Sequence, residues 1–245
     1  MRNLITLTLM LFSVLYCQAQ DKAKIEKLLE FVKVKGGTFT MGDAAYEDAK
    51  PHKVKLSSFY IQKTEVTQEL WEAVMGSNPS SFKACPNCPV EQVSWVDIQQ
   101  FISKLNAKTG KTYSLPTEAE WEFAARGGKK SKGYKYAGSN EIEAVAWYKE
   151  NSEDKTHTVG QKSPNELGIY DMSGNVWEWC SDWYGESYYG SSASTDPQGP
   201  ASGSYRVLRG GGWGSAAARC RVAHRSSSSP GNRSNSGGFR VLLSQ

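Results

Sequence analysis

Apolar residues at Ile25, Leu28, Leu29 and Val32 repeat at the spacing of one helical face, which predicts a helix over Lys22 to Phe31. Phe31 to Met41 then alternates around Gly36-Gly37, the pattern of a hairpin, and Val54 to Ile61 alternates again as a strand. Thr67 is placed to cap a short helix that buries Leu70, Trp71 and Val74 and is stopped by Gly76 and Pro79. Ser94 followed by Asp97 matches a capping box, and the helix behind it buries Ile98, Phe101, Ile102 and Leu105. Thr117 and Glu120 repeat that signature after Pro116. Trp121, Ala124 and Ala125 then face inward, and Gly127-Gly128 ends the helix.

Beyond Gly128 the helical periodicity fades. Lys129 to Lys135 reads as a solvated basic loop, and from Tyr136 onward Gly, Asn, Ser, Asp and Pro break the chain into loops and brief strands. No internal repeat or compositional break marks a linker, so residues 20–245 read as one domain. Eight Trp supply a large aromatic core.

A net charge of +4 is too small to point to nucleic acid. Its placement is uneven: Arg206 to Val241 carries seven Arg and no acid, and either these cations pair with acids elsewhere or they stand free. Residues 1–19 read as a secretory signal, with Arg2, the apolar run Leu4 to Tyr16, and Ala19 before a cut at Gln20. The run is short of the roughly 20 apolar residues that span a bilayer, and bulky Tyr16 before Cys17 fits a lipid-anchor signal poorly. The expectation is an exported chain without a membrane span, in the periplasm, the envelope or the medium.

Export leaves Cys85, Cys88, Cys180 and Cys220, an even number that allows three pairings in an oxidising compartment. Cys85 with Cys88, and Cys180 with Cys220, is the favoured scheme. A redox pair at Cys85 and Cys88 is the alternative, and a zinc site is a weak match to this spacing.

Asp171 to Trp179 is the sharpest local motif. Carboxylates at Asp171 and Glu178, with carbonyls freed by the Ser173-Gly174 turn, are the oxygen donors that calcium takes; otherwise Asp171 caps a turn and Glu178 pairs with an Arg. The segment 206–241 interleaves two registers. One is a scaffold of Gly, Trp, Arg, Val, Pro and Phe. The other is a scatter of small or amide side chains at Gly214, Ser215, Ala216, Ala217, Ala218, His224, Ser226, Ser227, Ser228, Ser229, Asn232, Ser234, Asn235 and Ser236.

Gly36 to Gly42, Glu65 to Thr67, Pro89 to Trp95, Leu115 to Glu122, Gly168 to Trp179, Arg209 to Trp213 and Gly238 to Arg240 together resemble the formylglycine-generating enzyme, or sulfatase-modifying factor, family. The resemblance covers essentially the whole mature chain. It implies an α+β fold of the C-type lectin-like kind, with a small twisted antiparallel sheet, flanking helices and much irregular loop. It implies one calcium ion on Asp171, the carbonyls of Gly174 and Val176, and Glu178. The activity it implies is a copper-dependent oxidation of a sulfatase cysteine to formylglycine on two cysteines. Here Cys220 is the candidate for one, and Ser215 stands where the other belongs. A thiolate and a hydroxyl suit soft Cu(I) poorly, so copper is not expected.

The C-terminal segment also resembles the variable region of proteins diversified by retroelements that mutate adenines. An AAC codon altered at either adenine yields Ser, Gly, Ala, His, Arg, Thr or Asp, the set from which the scattered positions are drawn. The interleaved Gly, Trp, Cys, Arg, Val, Pro and Phe can all be written without adenine. Turn preference also enriches Ser, Gly and Asn, yet it does not ask for Ser226 to Ser229 or Ala216 to Ala218 in a row. The segment therefore reads as a display surface for an unknown protein or cell-surface ligand, with Trp213 as its one aromatic anchor and weak binding expected of this variant. The competing expectations are the oxidase, using Cys220, and an envelope structural or assembly component.

Overall fold

The structure, a computed structural model, describes residues 19–244; the signal segment expected at 1–19 lies almost wholly outside them. Residues 19–27 form helix α1. It ends earlier than its periodicity predicts, and Val32 belongs instead to strand β1, Phe31–Val34. The expected hairpin at Gly36-Gly37 does not form. Strand β2, Gly37–Met41, pairs with β3, His52–Leu56, while β1 pairs with β4, Phe59–Gln62. Gly36 is where the chain changes partners: a Cβ there would lie 2.4 Å from the Leu56 carbonyl oxygen, so only glycine lets the backbone pass. The strand expected over Val54 to Ile61 is likewise two strands. Ser57 breaks it by donating its amide and hydroxyl to the Asp196 carboxylate at 2.8 and 2.9 Å.

Three helices form as their caps predict. In α2, Gln68–Met75, Thr67 accepts from the Leu70 amide, and Gly76 closes the helix at φ 87°. Helices α3, Trp95–Thr109, and α4, Glu118–Ala125, both open with reciprocal capping boxes, Ser94 with Asp97 and Thr117 with Glu120. The remaining elements are β5, Tyr113–Ser114; α5, Ile142–Val145; β6, Trp177–Trp183; β7, Arg206–Arg209; β8, Arg225–Ser228; β9, Gly237–Gly238; and β10, Leu242–Leu243.

The strands form an antiparallel sheet ordered β1-β4-β10-β5, the β2-β3 ribbon, and a sheet ordered β8-β7-β6-β9 in which β6 and β9 run parallel. The architecture is α+β, as expected. One core cluster packs α4 against the ribbon, Ile169, Cys180 and Val207. A second packs α2 and α3 against Phe239, Val241 and Trp179, with the Trp71 and Phe101 rings stacked at 5.1 Å. The C-terminal segment thus supplies three of the four strands of one sheet and anchors itself in the helical core through Phe239 and Val241.

Candidate ligand-binding face

Most of the arginines of the segment are structural. Arg209, 0% exposed, donates to Glu118 at 3.0 Å, to Glu122, and to the Val222 carbonyl at 2.7 Å. Arg225 binds both oxygens of Glu118 and the carbonyls of Asp48 and Gly185, with its guanidinium 4.2 Å from the Tyr189 ring. Arg240 is fully buried on Glu178, and Arg206 lies between the Trp95 and Trp183 rings at 3.9 and 3.5 Å. Arg233 forms a two-bond pair with Asp97 nearer the surface. Arg206, Arg219 and Arg221 make no ion pair among the described residues. Buried pairs of this kind specify one arrangement because losing either partner strands a charge.

That frame leaves the scattered positions outside. Trp213, Gly214, Ala216 to Ala218, His224, Ser226 to Ser229, Asn232 and Ser234 to Ser236 are half-buried or exposed. Ser215 is the exception. It is buried, and its hydroxyl accepts from the Gly212 amide at 2.9 Å, which makes it a brace of the turn rather than a displayed group. Ser226 to Ser228 lie on β8, the edge strand of its sheet, with Val207 opposite Ser227. The 232–236 loop returns to the other edge, where the Ser236 carbonyl accepts from the Trp177 amide at 2.7 Å.

Aromatic side chains from distant parts of the chain join this face, which corrects the expectation that Trp213 stands alone. Trp213 donates its indole N–H to the Asn235 carbonyl at 2.9 Å and meets Phe82 edge-on at 5.5 Å. His224 sits between Tyr46 and Trp177, with ring centroids 5.4 and 5.9 Å away, and Tyr46 donates its hydroxyl to the Ala218 carbonyl. Burial, with Arg209 and Arg219 nearby, pushes His224 down to about 4, so it is a neutral aromatic at physiological pH. Nothing local in the sequence marks Tyr46 or Phe82 for this role, since they lie more than a hundred residues from the segment.

The donors expected for calcium are not arranged as a cage. Glu178 Oε2 accepts from Arg240 at 2.7 Å and from the Trp121 indole at 2.8 Å, and Oε1 accepts from Arg240 at 2.8 Å. The cation it faces is a guanidinium, which is the ion-pair alternative. Asp171 Oδ2 accepts from the Gly160 amide at 2.7 Å, and Oδ1 is buried without a partner. The Val176 amide donates to Glu65 at 3.3 Å. With Asp171 Oδ1 the one carboxylate oxygen of this set left without a partner, the two carboxylates do not fit the ion unless Glu178 gives up Arg240.

Nor do the thiols fit copper. Cys85 and Cys88 are bonded, but Cys180 and Cys220 are free, which corrects the second expected disulfide: they lie buried in different core clusters. Burial pushes Cys220 up to about 12, and the Ser215 hydroxyl is already engaged. A single shielded thiol is not the paired thiolate that Cu(I) binds. Among the described residues no helix is long and apolar enough to cross a membrane.

The comparisons with known proteins bear on the family and the fold. The family described as the sulfatase-modifying factor enzyme 1-like domain matches residues 18–245. Chaperone protein LppX of Paenibacillus barcinonensis is 35% identical over 266 residues, covering 88% of this chain and 90% of that protein. The formylglycine-generating enzyme of Streptomyces coelicolor is 33% identical over 282 residues, covering 85% and 87%. Among solved structures, Treponema denticola variable protein 1 superimposes with a TM-score of 0.83 at 38% identity, over 87% of this chain and 94% of that one. PvdO from Pseudomonas aeruginosa superimposes with a TM-score of 0.73 at 26% identity, over 89% and 95%. From the motifs, the fold and these matches, the chain belongs to the sulfatase-modifying factor enzyme 1-like family.

Proposed function

We propose that this protein is an exported, non-catalytic ligand-binding protein. It displays an exchangeable C-terminal surface, diversified at the DNA level, on the family's lectin-like frame. The observation that carries this reading is the separation of roles within 206–241: of the scattered small positions only Ser215 is buried, while Arg209, Arg225, Arg240 and Phe239 are locked inside. Likeness to a variable protein over most of the chain supports it. Pre-formed loops reduce the ordering cost of binding, and Ser, Asn and Ala side chains leave room for exchange. Tyr46, His224, Trp177, Trp213 and Phe82 supply the aromatic contact area that the small residues lack, so binding through this face is stronger than Trp213 alone would allow.

The test is a library randomised at Gly214, Ala216 to Ala218, Ser226 to Ser229, Asn232 and Ser234 to Ser236. Most members fold with a thermal midpoint close to the parent, and selection on cell-surface proteins yields binders with different specificities. A library that mostly fails to fold would overturn the reading. A second reading, an envelope assembly component, is favoured by the likeness to a protein named as a chaperone. Copurification of one fixed partner, unchanged when 214–236 is replaced, would select it.

A further inference from the structure

The Cys85–Cys88 bridge is not absorbed by the binding face, and its surroundings are those of a reactive group. Both cysteines line a cleft of about 340 Å³ together with Phe82, Lys83, Lys155, His157 and Thr158. Cys85 is only half-buried and Cys88 is buried, so an incoming sulfur meets Cys85 first. Its Sγ lies 3.6 Å from the Thr158 hydroxyl, and Lys83 at the rim makes no ion pair among the described residues. His157 stacks on Trp147 at 3.8 Å, and its Nε2 lies 2.7 Å from the Ser152 carbonyl oxygen. A carbonyl only accepts, so Nε2 carries the hydrogen and Nδ1 keeps a lone pair.

A purely structural bridge has little to do here. It spans three residues, and the chain-entropy account gives so short a loop the least stabilisation. The loop is also held without it. The α2 amides of Gln68 and Glu69 donate to the Cys88 and Pro86 carbonyls at 2.9 Å, and the Val159 amide donates to the Asn87 carbonyl at 3.0 Å. Ala84, in the left-handed region at φ 66°, leads into Cys85 at a cost of about 1 kcal/mol that a loop needing only closure would avoid.

We propose that Cys85–Cys88 is a thiol-oxidising disulfide that takes two electrons from a pair of cysteine thiols on a peptide or protein segment held in this cleft. One substrate thiol passes its proton to His157 and attacks Cys85 Sγ. The Cys85–Cys88 bond breaks, and Cys88 leaves as a thiolate that takes up a proton. The second substrate thiolate then attacks the substrate sulfur of the mixed disulfide and releases Cys85. The substrate ends as a disulfide and the protein as a dithiol, with two protons and two electrons transferred. Lys83 favours the anionic sulfur at each stage. Phe82 borders both the cleft and Trp213, so a ligand on the binding face is brought beside the disulfide.

The test uses the oxidised full chain and a reduced synthetic peptide with two cysteines, followed over a single turnover by mass. The chain oxidises the peptide at least about tenfold faster than oxidised glutathione at the same concentration. His157→Gln keeps the bridge and slows the reaction several-fold. Cys88→Ser, mixed with the peptide in its disulfide form, gives a mixed disulfide on Cys85. Thermal midpoints of both variants check that they fold. A rate no greater than that of glutathione overturns the proposal, as does a folded Cys88→Ser that forms no mixed disulfide. An unchanged rate in His157→Gln overturns the role of the imidazole. Failure here leaves the binding reading intact, because that reading rests on residues 214–236.

Discussion

Arg225 binds both oxygens of Glu118, through Nε at 2.7 Å and Nη2 at 2.9 Å, and Arg209 shares the first of them at 3.0 Å. One carboxylate from the start of α4 thus ties β7 to β8. Cations on both sides hold Glu118 below the usual carboxylate range against the effect of burial. Residues 206–241 are fastened by a charge cluster, with no disulfide between Cys180 and Cys220.

Removing one partner of this cluster leaves an uncompensated buried charge. Arg225→Met should lower unfolding stability by about 3 to 5 kcal/mol in urea titration. A loss below about 1 kcal/mol would mean the pair is not formed.

Asp182 gives stability a distinct pH dependence. It is buried beside Glu118, and burial followed by that charge raises it to about 7. A carboxyl whose folded value lies above its unfolded value contributes stability below the unfolded value, near 4, and loses it as pH rises toward 7. Asp182→Asn keeps an acceptor for the Glu118 amide and should flatten the decline between pH 4 and 7, which is at most about 1.4 kcal/mol per pH unit for one proton. Glu118 has the opposite sign: its contribution is present above its unfolded value and disappears as pH falls through its lowered folded value. Thermal scans across pH in both proteins check this.

The serines of the segment are not equivalent. Ser215→Ala strands the buried Gly212 amide and should cost about 1 to 3 kcal/mol. Ser228→Ala, half-buried on the edge strand, should change stability by no more than about 0.5 kcal/mol. Equal costs at both sites would contradict the division between frame and display.

Cys180 and Cys220 should resist alkylation in the folded protein, since burial raises both thiols and shields them. Mass spectrometry should find neither labelled in buffer and both labelled in denaturant. Rapid native labelling of Cys220 would reopen the copper reading.

Local sequence determined the elements whose causes are local. Thr67, Ser94 and Thr117 each satisfy an amide within three residues, so their helices are visible from side-chain chemistry alone, and the small residues of 214–236 announce a surface by having little to bury. The family motifs likewise carried the α+β class. Partnership was decided by the tertiary structure. Alternation at Phe31 to Met41 sets which side chains face inward but not which strand lies alongside, and the crowding at Gly36 separates β1 from β2. The same limit hid Tyr46 and Phe82 from the face, gave Glu178 to Arg240, and kept Cys180 from Cys220. Each of these depends on whether residues at least forty apart in sequence meet, and the composition or periodicity of a short window cannot specify that.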